Sequence, residues 1–76
     1  MSLHGAEAKR YARDRLALVG SIPDEWVTLY RDDSNGSYWL MSYPQSELHG
    51  GGPPKLEQIK EEVASLLRLR MRARAS

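Results

Sequence analysis

The side chains able to do chemistry in this sequence are few and scattered. His4 and His49 lie far apart in the chain, and no cysteine accompanies them. Neither falls in a zinc-ligand spacing such as H-E-x-x-H, so no metal site and no cofactor is expected. Asp24-Glu25 and Asp32-Asp33 are paired carboxylates that could serve as general acid and base. A turn and a hairpin loop explain both pairs without catalysis. Glu61-Glu62 reads as a solvated helix face. There is no G-x-S-x-G, so His49-Gly50-Gly51-Gly52 forms no oxyanion hole of the hydrolase kind. Pro53-Pro54 removes two of the backbone N–H groups that a phosphate cradle needs. No catalytic residue is assigned, and an enzyme is not expected.

Arginine is the remaining candidate. Arg68, Arg70, Arg72 and Arg74 stand at alternate positions near the C-terminus and could neutralise a few phosphates. On a helix, however, residues two apart point in different directions, so these four form no tight stripe. No recognised nucleic-acid motif accompanies them, and a nucleic-acid partner is the lesser reading. The net charge of +1 hides an uneven distribution: +2 over residues 1–20, −4 over 21–47 and +3 over 48–76. An acidic centre between basic ends fits internal pairing first and separate recognition surfaces second.

The elements that must position these groups follow from pattern. A chain of 76 residues makes one small α+β domain, 1–76, with frayed ends. It buries only ~60–65% of its unfolded surface and has a stability near ~4–11 kcal/mol. The longest wholly apolar run, Leu16 to Val19, is too short to span a membrane. The N-terminus lacks the apolar core of a signal peptide, which points to a cytoplasmic protein. Ala8, Ala12, Leu16 and Val19, with Tyr11 alongside, predict a helix over 6–19, stopped by Gly20 and Pro23. Trp26–Tyr30 and Tyr38–Tyr43 predict an antiparallel hairpin around Asn35-Gly36, the strongest short turn signal. A two-residue turn opposes Tyr30 to Met41, and a four-residue loop shifts the register by two without changing the faces. One face carries Trp26, Thr28, Tyr30, Trp39, Met41 and Tyr43; the other carries Val27, Leu29, Arg31, Tyr38, Leu40 and Ser42. Both are largely apolar, so both helices are expected to pack against this hairpin. A second helix is expected from about Pro54, with Leu56, Ile59, Val63, Leu66, Leu67 and Met71 as its apolar stripe.

The glycine run Gly50-Gly51-Gly52 costs conformational entropy and contributes no packing. It reads as a permissive bend or as a site of close backbone approach. Gly36-Ser37-Tyr38-Trp39, then the continuous run from Tyr43 to Leu56 with Ile59 beyond, resembles the immunity protein twenty-seven family of bacterial polymorphic toxin systems. The resemblance covers roughly residues 26–60. It implies a non-enzymatic protein that binds and neutralises a cognate toxin. One departure stands out: the family pattern expects an acidic residue after the motif tryptophan, and this chain has Leu40.

The resemblance and the residue chemistry together nominate a partner-binding surface. Its members are Asp32, Asp33, Tyr38, Trp39, Tyr43, Glu47 and His49, with Pro44, Ser46, Gly50, Gly51, Gly52, Pro53 and Pro54 as the motif loop. The acidic hairpin would steer association with a basic toxin, and the aromatic residues would anchor it where exposed. Trp26 and Trp39 read equally well as core in a chain without phenylalanine. Two further readings are a nucleic-acid-associated protein using Arg68 to Arg74, and a homodimer joined through an open apolar hairpin face.

Overall fold

The computed structural model describes residues 2–43 and 53–75. Its elements in order are β1 (Ser2–His4), α1 (Gly5–Arg15), β2 (Ala17–Ile22), a 3-10 turn (Pro23–Glu25), β3 (Val27–Asp32), β4 (Ser37–Ser42), β5 (Lys55–Ile59) and α2 (Glu61–Ala75). The five strands form one antiparallel sheet in the order β1-β5-β4-β3-β2. The α+β class expected from the sequence is therefore the observed one.

The hairpin β3–β4 is the element the sequence specified most strongly. Its connection is the four-residue loop Asp33–Gly36, and Tyr30 pairs with Trp39 while Thr28 pairs with Met41. Within the loop Asp32 accepts at its carbonyl from the backbone N–H groups of Asn35 and Gly36. Gly36 sits at φ +75°, a conformation that side-chain-bearing residues rarely adopt. Asn35 closes the turn by accepting the Ser37 N–H at Oδ1, 2.9 Å away.

Two expectations are corrected. The first helix ends at Arg15 rather than continuing to Val19, and Leu16 is already extended. Residues 17–22 are strand β2 because β3 offers backbone partners along both sides of a register shift at Val19, which outweighs their helical spacing. Likewise Leu56 and Ile59 belong to strand β5, not to the last helix. The chain alternates there with a period of two, and the inward Leu56 pairs with Met41 on one side and Leu3 on the other. The second helix starts at Glu61. Strand β1, only three residues long, carries no pattern that marks it in the sequence.

Both hairpin faces are covered. On one, Ala8 and Ala12 of α1 meet Trp39, Met41 and Leu56, with Leu3, Tyr11, Leu16 and Tyr30 packed around them. The small alanines let the helix approach, and Tyr11 tilts against Trp39 with ring centroids 5.3 Å apart. On the other, the row Gly20–Leu29–Leu40 lies beneath α2. Gly20 is a close-approach position: a Cβ there would stand 2.8 Å from the Met71 sulfur. Ile22, Leu29 and Ala64 are fully buried, and each large side chain so buried contributes about 1.5–3 kcal/mol. Among the described residues no helix is long and apolar enough to cross a membrane.

Candidate partner-binding surface

The structure disperses the nominated residues. Trp39, at 3% exposure, is core and offers no anchor to a partner. Its indole N–H is satisfied internally by Ser37 Oγ at 3.0 Å. Asp32, at 7% exposure, is also withdrawn. Its carboxylate accepts from the Ser34 hydroxyl at 2.6 Å and the Ser34 N–H at 2.9 Å, which fixes the hairpin loop. The Ser34 hydroxyl, then its backbone N–H, with help from Arg15, hold this carboxyl below the usual aspartate range against the opposing effect of burial. Asp33 is exposed but pairs with Arg31 at 2.5 Å.

Tyr38 is half-buried on the α2 side of the sheet, and its hydroxyl accepts a long hydrogen bond, 3.4 Å, from Arg68. Tyr43 lies at the opposite end of the hairpin from Asp33. Pro53 is exposed, while Pro54 is buried and its carbonyl accepts the Gly5 N–H at 2.9 Å. Pro54 thereby ties β5 to the start of α1 instead of opening a helix. Pro44, Ser46, Glu47, His49, Gly50, Gly51 and Gly52 lie outside the described residues. Leu40, where the family pattern expects an acid, is half-buried between Leu29 and Glu57.

The acidic centre divides in the same way. Asp24 and Glu25 precede β3, Asp32 ends it and Asp33 follows, so the two pairs stand at opposite ends of a six-residue strand, about 20 Å long. Glu25 is paired with Arg70 of α2, and Arg31 takes Asp33. Arg68 and Arg70 are exposed, but each has a partner within the chain, Tyr38 and Glu25. A further pair, Lys55–Glu57 at 3.6 Å, spans one face of β5. Exposed pairs of this kind contribute ~0–1 kcal/mol each, but they consume the charge that would form a single acidic field.

Other groups are accessible. Trp26 is 61% exposed and holds φ +56°, a left-handed conformation that costs a non-glycine residue about 1–2 kcal/mol. It meets Tyr43 edge to face with ring centroids 6.0 Å apart. Together with Ser21, Pro23, Val27 and Thr28 the two rings line an open groove of about 340 Å³. Sequence reasoning placed Trp26 on the face of Trp39, because strand alternation does not reveal a left-handed residue at a strand's start. Leu66, expected in the buried stripe of the last helix, is 63% exposed, and Leu69 nearby is 58% exposed. With the helix starting at Glu61, Ala64, Leu67 and Met71 turn inward and Leu66 outward.

A second groove, about 540 Å³, runs from Gly36–Tyr38 past Gln58–Glu62 and is open and polar. Among the described residues no three His, Asp or Glu side chains converge on a metal position. The fold and surface define a small α+β domain with exposed aromatic and apolar contact groups. The family described as Immunity protein 27 matches residues 7–60, from the first turn of α1 through β5, and the chain belongs to that family. No curated protein and no solved structure matches it.

Proposed function

We propose that this chain is a cytoplasmic immunity protein of a polymorphic toxin system that neutralises one cognate toxin by direct, stoichiometric binding. The family match across α1 and β2–β5 carries the reading. The protein blocks the toxin by occlusion and turns over no substrate. The contact is centred on the Trp26–Tyr43 pair, with Tyr38 and Asp33 as peripheral members and the 44–52 segment adjoining Tyr43. Tryptophan and tyrosine dominate interface energetics because a large rigid surface is desolvated at small entropic cost. Trp26 keeps a strained backbone while exposing its ring, a cost that a recognition role would explain.

The test is co-expression with toxin domains encoded in the gene's neighbourhood. Protection of the host cell, together with a purified one-to-one complex by light scattering, is the expected outcome. Failure to protect against any neighbouring toxin, or protection without a complex, would sink the reading. The nucleic-acid alternative loses support from Arg68 and Arg70, which face Tyr38 and Glu25.

A further inference from the structure

Among the described residues the sheet ends in two edge strands, β1 and β2. Natural edges are blunted by shortness, charge or proline, because a row of unpaired N–H and C=O groups invites another strand. β1 is three residues long. β2 has six, Ala17-Leu18-Val19-Gly20-Ser21-Ile22, without one charge or proline. Leu18 is 68% exposed, and Val19 is partly exposed beside it. Among the described residues its protective device is the register shift between Leu18 and Gly20, which divides the edge into two short rungs.

The charges flanking β2 say what fits it. Arg13-Asp14-Arg15 leads in with a net positive charge, and Asp24-Glu25 follows the strand with two negative charges. A parallel neighbour of the same sequence would set like charges side by side. An antiparallel copy related by a two-fold axis sets the basic entry of each strand against the acidic exit of the other, twice. We infer that β2 is a homodimer interface, pairing antiparallel with the β2 of a second copy to make one continuous ten-stranded sheet. Each hairpin face carries a helix, α1 on one and α2 on the other, which favours the strand edge over a hairpin face as the place for a second copy. Arg13 keeps its 2.9 Å contact with Asp14 and Glu25 its contact with Arg70, so Arg15, which also acts on Asp32, is the cation at the start of β2 that a second copy would meet.

The inference is independent of any toxin, since it concerns the isolated protein. Sedimentation equilibrium of the full chain from low to high micromolar concentration is expected to give a dimer mass. Leu18→Lys should raise the dissociation constant about tenfold or more, by removing apolar contact and adding like charge across the axis. Val19→Pro, which places a proline in the strand edge, and Arg15→Glu should weaken it in the same direction. Far-UV circular dichroism checks that each variant stays folded. Because the chain has no cysteine, Val19→Cys near the axis should oxidise to a covalent dimer, whereas Ser2→Cys on the other edge should not. A monomer mass at every concentration overturns the inference. So does a dimer that tolerates Leu18→Lys, Val19→Pro and Arg15→Glu while folded, or one that cross-links through Ser2→Cys and not through Val19→Cys.

Discussion

The Trp39 indole is held from three directions: Tyr11 tilts over it, Ser37 takes its N–H, and Tyr30 pairs with it across the hairpin. Trp39→Ala is expected to cost about 3–5 kcal/mol, a large part of what a domain of this size holds. Denaturant titration should show a sharply lowered midpoint or no folded baseline. Asp32 makes a different kind of prediction. Its carboxyl is held below the ordinary aspartate value by Ser34, so it stabilises the fold when ionised, and that contribution is lost as pH falls through its lowered value. Relative to Asp32→Asn, the native chain should melt higher near neutral pH. The gap should close as pH drops below about 3.9, the ordinary value. A gap that stays constant through the acid range would mean that the loop is held by neutral contacts. At this scale the turn was readable, since Asp, Asn and Gly each have a local reason to be there. The fate of Trp39 was not, because the same residue type serves core and interface.

Elements were readable where their signal is local. The Asn35-Gly36 turn fixes a hairpin whatever surrounds it, and the alternation on either side fixes its faces. β2 and β5 are decided by partners distant in sequence: residues 17–22 by β3, and residues 55–59 by β4 and β1. Apolar spacing compatible with a helix yields to a ladder of partners that only the folded sheet supplies. The meeting of β2 and α2 at Gly20 is likewise invisible in sequence, where the glycine marked only a helix end. Gly20→Val would drive its side chain into Met71, whose sulfur stands 2.8 Å from the added Cβ. The expected cost is about 1–3 kcal/mol of stability. Met71→Ala should recover part of it in the double variant, since the two residues share one contact. Additive losses in thermal melts would show that α2 does not rest on that strand.

At the scale of the whole molecule, charge is spread rather than focused. The family match ends at Lys60, so the arginine-bearing helix lies beyond it, and its Arg70 neutralises Glu25 of the matched part. With Asp33 also paired, and the acidic groups divided between two ends of the hairpin, long-range steering of a basic toxin should be weak. The proposed binding should therefore depend on apolar burial more than on field. Trp26→Gly tests this cleanly, because glycine takes the left-handed backbone without strain and so offsets much of the lost ring packing. Its stability should stay within about 1 kcal/mol of the native chain, while toxin affinity falls by about 2 kcal/mol or more. Asp33→Ala should change affinity by less than about 1 kcal/mol, and raising the salt concentration should slow association only slightly. Calorimetry and stopped-flow association on the purified pair measure both. A steep salt dependence with an unaffected Trp26→Gly variant would move the interface away from the aromatic pair and back to the charged loop between β3 and β4.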